Sequence, residues 1–178
     1  MKYPIGIQDF EKIIKDGYVY LDKTGLIYDL VHNGTIYFLS RPRRFGKSLL
    51  VSTLKCYFEG KKELFKGLSI DKLEKEWKQY PVLHLSFGGQ NYIEPYTLEH
   101  VLEEFVARAE LVYGKDELAK TLSSRFRAVL KKAHAKTGVR AVVLIDEYDK
   151  PLLDVMDMDI SVQNEYGKMT LEDYNRNL

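Results

Sequence analysis

The sequence predicts an α/β domain, a parallel sheet flanked by helices, and three observations carry that expectation. Thr35–Leu39 and Ala141–Ile145 are short apolar runs with the length and composition of buried strands. A third β-rich run, Pro81–Phe87, lies between them. Between that run and Ala141 stand two long segments with apolar residues at helical spacing, and strands alternating with helices of this kind mark α/β architecture.

In chain order, Tyr18–Leu21 is rich in bulky β-formers and reads as a short strand. Asp22-Lys23-Thr24 follows, where polar side chains can cap a helix over about residues 24 to 32. Asn33-Gly34 breaks that helix before Thr35–Leu39, the first core strand. A helix over Ser48–Phe58 follows, with Leu50, Leu54, Tyr57 and Phe58 at helical spacing and Gly60 as its stop. Residues 61 to 79 are charged, with Leu64, Phe65, Leu68 and Ile70 anchoring a short helix and a crossing loop. Pro81–Phe87 is the second strand and ends at Gly88-Gly89. His84 within it reads as a core or edge histidine, since no second metal ligand lies at suitable spacing. From Thr97, the residues Leu98, Val101, Leu102, Phe105, Val106, Ala109 and Val112 mark one face of a helix ending at Gly114. A further helix turns Leu118, Leu122, Phe126, Val129, Leu130 and Ala133 inward and stops at Gly138. Its Arg125, Arg127, Lys131 and Lys132 read as a solvated face. Ala141–Ile145 is expected to be buried on both faces of the sheet. After Pro151 the sequence turns acidic and irregular, with a turn at Asn164–Gly167.

Composition narrows the functional classes. A chain of 178 residues, 45% hydrophobic and 30% charged, is expected to form one folded domain. No run approaches the roughly 20 apolar residues that span a bilayer, and Met1–Gly6 lacks the apolar core of a secretory signal, so no membrane partner and a cytoplasmic location are expected. The lone Cys56 cannot form an intramolecular disulfide and reads as a small buried side chain. With 27 Lys and Arg against 26 Asp and Glu there is no global positive field, and direct nucleic-acid binding is not expected.

The chemistry sits at two places. A bound triphosphate needs inward-facing backbone N–H groups, a cation on its outer phosphates and an oxygen ligand for Mg²⁺; a tight turn at a helix N-terminus supplies the first of these. Between the first core strand and its helix stands Arg43-Arg44-Phe45-Gly46-Lys47-Ser48-Leu49, the candidate phosphate-binding segment. Gly46 allows close backbone approach, Lys47 can reach the outer phosphates, and Ser48 can coordinate Mg²⁺. The usual loop places a glycine five positions before Gly46, where this chain has Arg41. Downstream, Val142–Ile145 delivers Asp146 and Glu147: the first would hold Mg²⁺, and the second would orient and deprotonate the attacking water. The expected ligands are therefore ATP and Mg²⁺, with Glu147 and Lys47 as catalytic groups.

Ser40–Leu49 and Asp146–Leu152 resemble the signatures of the bacterial AAA-ATPase-like family. Pro4–Phe10, Asp22-Lys23-Thr24 and the Trp77–Phe87 region extend that resemblance over nearly the whole chain, and Arg41 in place of glycine is normal for the family. The resemblance implies ATP binding and hydrolysis in the AAA-like, additional-strand branch of the P-loop NTPases. It also implies an adenine site near Ile5–Phe10, with Ile7 and Phe10 equally readable as core anchors.

In such a sheet a further strand, the fourth in chain order, lies beside the Walker A strand and separates it from the Walker B strand. No such strand is legible after Asp149, so residues 1–178 are expected to be the N-terminal portion of an AAA-like ATPase domain with an incomplete sheet. The gap could close within the chain, with a C-terminal region, or by homo-oligomeric pairing with a second copy. Turnover is expected to suffer more than binding. The alternatives are a catalytically inactive nucleotide-binding or interaction fragment and a phosphotransferase; Asp146-Glu147 suits a water nucleophile better than a bound acceptor.

Overall fold

The structure is a computed structural model that describes residues 1–40, 45–164 and 167–178. It is of the α/β class and divides into two compact units, Met1–Val82 and Leu83–Leu178.

The first unit is helical among its described residues. Helix α1 (Phe10–Lys15) begins where the Asp9 carboxylate accepts from the Lys12 amide, and it packs against α3 (Lys47–Phe58). Phe10 is wholly buried; its N–H donates to Ser52 Oγ at 2.9 Å and its ring meets Tyr20 and Phe65. Tyr57 and Trp77 extend this aromatic core around Phe65. Phe10 is thus a core anchor. Cys56, 3% exposed, is buried as its apolar segment suggested, and burial pushes its thiol up to about 11.

Helix α2 (Thr24–Asn33) packs on α4 (Ser69–Leu73), which follows a short 3₁₀ turn at Lys62–Phe65. Asp22 ties the two helices together. Its Oδ1 accepts from Thr24 N and Oγ1 at 2.9 and 2.7 Å, and its Oδ2 accepts from Ser69 N and Oγ, both at 2.7 Å. Thr24 Oγ1, fully buried, accepts in turn from Ile70 N.

Two expected strands do not form here. Tyr18–Leu21 is irregular, and its Tyr20 ring serves the aromatic core instead. Thr35–Leu39 forms no ladder, with Ile36 92% and Phe38 70% exposed. Strand propensity is realised only against a neighbouring strand and a covering layer, and 35–39 belongs to neither described sheet. The Tyr37 hydroxyl instead donates to the Leu30 carbonyl at the end of α2.

β1 (Val82–Ser86), which lies in the second unit from Leu83 on, pairs with β2 (Val142–Asp146) in a small parallel sheet. The long connection contains α5 (Thr97–Tyr113) and α6 (Leu122–Thr137), the crossover that parallel pairing requires. Leu83 packs with Val106, Ala109 and Val129, and Leu85 and Phe87 pack with Tyr92 and Leu98, so the helices cover one face of β1. β2 alternates half-buried Val142, Leu144 and Asp146 with exposed Val143 and Ile145. Burial of β2 on both faces is therefore not realised, because the described elements cover a single face.

α6 starts later than its periodicity suggested. Thr121 Oγ1 accepts from Ser124 N while Ser124 Oγ accepts from Thr121 N, a capping box that fixes the start and leaves Leu118 90% exposed in the preceding loop. Val112, near the end of α5, is also exposed. Arg125 is no solvated charge: it is forked onto Glu110 at 2.9 and 2.8 Å and bonds Glu103 as well.

The described residues of the acidic stretch after Pro151 form regular elements. A short helix α7 (Lys150–Leu153) leads to antiparallel β3 (Ser161–Asn164) and β4 (Gly167–Thr170), then α8 (Leu171–Asn177). Val155, Val162, Leu171 and Tyr174 form its core. The turn read at Asn164–Gly167 sits where β3 hands over to β4, with residues 165 and 166 themselves outside the described set.

Candidate phosphate and acid half-sites

The candidate residues fall into two sets, one in each unit, and each has its own geometry.

Gly46 is the N-cap of α3 with φ 74° and ψ 25°, a left-handed conformation that costs an L side chain but not glycine. A Cβ there would meet nothing within 4 Å, so the backbone conformation and not crowding asks for glycine. The first intrahelical bond runs from Leu50 N to Gly46 O at 3.0 Å. The amides of Lys47, Ser48 and Leu49 therefore precede the helical ladder, and Gly46 caps none of them with a side chain. Among the described residues these N–H groups have no helical acceptor, and with the positive end of a 12-residue helix they suit an anion. Lys47, Ser48 and Leu49 are half-buried and Phe45 is 64% exposed. Arg41, Arg43 and Arg44, read as charge around the phosphates, lie outside the described residues.

In the second unit, Asp146 closes β2. Its carbonyl accepts from Phe87 N at 3.1 Å, and its Oδ1 accepts from Glu147 N at 3.0 Å. Glu147 follows with φ 53°, one of three described non-glycine residues in the left-handed region, and its side chain is exposed. Strained backbone of this kind collects at functional positions. The Glu147 carboxylate lies against Gly88: a Cβ on that glycine would stand 3.0 Å from Oε2 and 3.3 Å from Ser86 Oγ. Downstream in the chain, Lys150 Nζ bonds Asp154 Oδ2 at 2.5 Å, and the same oxygen accepts from Tyr92 N at 3.3 Å. Burial pushes the Tyr92 phenol up, helped by the negative charges of Asp154 and Glu147.

The donor set suits Mg²⁺ and phosphate. Hydroxyl and carboxylate oxygens are hard ligands, and Mg²⁺ is usually held by one or two protein oxygens with water and phosphate completing its shell. Among the described residues no group of three or more His, Cys, Asp and Glu side chains forms a metal cage. No helix among them is long and apolar enough to cross a membrane.

Sequence reasoning missed Gly88 and Tyr92. Gly88-Gly89 was legible only as a strand stop, because the carboxylate that crowds Gly88 comes from a distant part of the chain. Nothing in the residues flanking Tyr92 signals that its ring is buried against β1.

Comparison with known proteins shows the family. The model of the family described as "Predicted AAA-ATPase" matches residues 4–176. The chain is 46% identical over 154 residues to a protein of Azotobacter chroococcum mcd 1 described as "Uncharacterized protein in vnfD 5'region". That match covers 86% of this chain and 30% of the relative, so the chain spans under a third of the relative's length. No solved structure matches the chain. The family match runs through both half-sites, and the chain belongs to the predicted AAA-ATPase family.

Proposed function

We propose that this chain is the Walker A to Walker B portion of a P-loop ATPase domain of the additional-strand type, and that it binds ATP with Mg²⁺. Family membership points to nucleotide binding. The observation that carries the reading to particular residues is the start of α3, where a left-handed Gly46 precedes three helix-terminal amides with Lys47 and Ser48 at the first two helical positions. The pairing of β1 with the strand ending in Asp146 supports it, since those two strands are neighbours in an additional-strand sheet.

In this reading the amides of residues 47 to 49 and the Lys47 ammonium hold the outer phosphates. Arg43, Arg44 and Phe45 flank the same loop. Ser48 and Asp146 are the protein oxygens that would hold Mg²⁺, which supplies charge neutralisation on the phosphates when bound. Hydrolysis is attack of a water oxygen on the terminal phosphorus as the bond to the bridging oxygen breaks. Glu147 orients that water and accepts its proton, and the leaving diphosphate carries away the electron pair.

The 35–39 segment, exposed and outside any strand of the described residues, favours a second reading, nucleotide binding with little or no turnover. Phosphate release from Mg-ATP without added acceptor, measured for the purified chain beside Glu147→Gln, tests the first. Release that Glu147→Gln lowers by about a hundredfold or more supports hydrolysis through Glu147. Equal release from both chains would sink it, and binding without release selects the second reading.

A further inference from the structure

The end of β1 holds a glycine whose identity the strand does not require. Gly88 is not among the left-handed glycines, so its backbone is open to any L residue. What it lacks is space: an added Cβ would stand 3.0 Å from Glu147 Oε2, 3.2 Å from Glu147 Cδ and 3.3 Å from Ser86 Oγ. Its neighbour Gly89 is the opposite case, with φ +79° and nothing within 4 Å of the place a Cβ would take.

The surroundings hold Gly88 in place. Its N–H donates to Ser86 Oγ at 3.2 Å, and the preceding Phe87 N donates to the Asp146 carbonyl at 3.1 Å, locking the end of β1 to the residue before Glu147. Glu147 turns toward it through a left-handed backbone. A methyl group at 88 would therefore push the carboxylate by a few tenths of an ångström while leaving both strands paired.

We propose that Gly88 is a positioning residue for Glu147, its missing side chain being the seat in which the Glu147 carboxylate rests. The proposal builds on the ATPase reading but is carried by a contact that can be measured without nucleotide. Displacing a catalytic group by about 1 Å costs on the order of 100-fold, so a smaller push is expected to lower turnover about tenfold with little change in KM.

The test is a cycle of Gly88→Ala, Glu147→Ala and the double variant, with Gly89→Ala as the strained but open control. Each is followed by urea unfolding and by phosphate release across Mg-ATP concentration. The expected unfolding result is coupling: Gly88→Ala lowers the midpoint relative to its parent when Glu147 is present, and this loss disappears or reverses in the Glu147→Ala background. The expected kinetic result is a tenfold loss in kcat for Gly88→Ala and unchanged kcat for folded Gly89→Ala. Equal midpoint shifts in the two backgrounds, or full kcat in Gly88→Ala, overturn the assignment. A wild-type chain that releases no phosphate counts against hydrolysis alone, and the unfolding cycle then decides Gly88 by itself.

Discussion

Removing the Asp22 carboxylate should loosen two helices at once. Asp22 sits ahead of α2, yet its two oxygens accept four hydrogen bonds, two from Thr24 and two from Ser69 at the start of α4. Burial pushes the carboxyl up, but the bonds from Ser69 and Thr24 outweigh that and hold it at about 2, from an ordinary 3.8. At 1.36 kcal/mol per tenfold change in proton affinity, that gap caps the pH-linked contribution at about 2.4 kcal/mol. Asp22 is exposed, so solvent screening brings the expected contribution nearer 1 kcal/mol. Because the folded value lies below the unfolded one, the contribution is complete above about pH 4 and fades as pH falls toward 2. Loss of a helix cap costs about 0.5–2 kcal/mol, so Asp22→Ala should cost about 2 kcal/mol at pH 7 and Asp22→Asn about 1. Urea unfolding followed by tryptophan fluorescence reads the first unit, since the single Trp77 packs on Tyr57 and Phe65 there. An Asp22→Ala midpoint within error of wild type at pH 7, or a variant whose acid sensitivity between pH 4 and 2 matches wild type, would refute the double-cap account.

Two further outcomes follow from buried polar groups. The Tyr92 hydroxyl is fully buried with no hydrogen-bond partner among the described residues, so Tyr92→Phe should stabilise the chain by about 1 kcal/mol in chemical denaturation; a loss of stability would show that the hydroxyl is satisfied. Arg125 forks onto Glu110, whose side chain is 8% exposed and whose carboxyl the guanidinium holds below its ordinary value. Arg125→Ala strands that charge and should cost about 3 kcal/mol, whereas the paired replacement Arg125→Met with Glu110→Leu should cost much less.

What the sequence made legible follows the range of the interactions involved. Helices α2, α3, α5 and α6 carry their own periodicity and stops: Gly114 and Gly138 fall at the C-caps of the last two, where the helical spacing ends. β1 and β2 were also readable, because apolar runs bounded by Gly-Gly or by an acidic pair leave few alternatives. Thr35–Leu39 has the same local signature but joins neither described sheet, and its side chains are exposed. The double role of Asp22 was half legible. Its cap on Thr24 is local, while Ser69 lies 47 residues away in a segment whose pattern says nothing about it. Likewise the candidate Gly46-Lys47-Ser48 segment and the acidic pair announced their own local geometry, a glycine turn into a helix and a strand ending in acids. The seat under Glu147 depended on strand register, and Gly88 looked like punctuation until β1 and β2 were paired.

The central claim is that the Gly46-Lys47-Ser48 turn holds the phosphates of a nucleotide, and the most direct test is titration of the purified chain with a fluorescent ATP analogue. It is run with and without Mg²⁺, beside Lys47→Ala, after circular dichroism shows that both chains are folded. Saturable binding that strengthens with Mg²⁺ and falls at least tenfold in Lys47→Ala is the predicted result. A folded wild-type chain that does not saturate, or a Lys47→Ala chain that binds equally well, would contradict the claim.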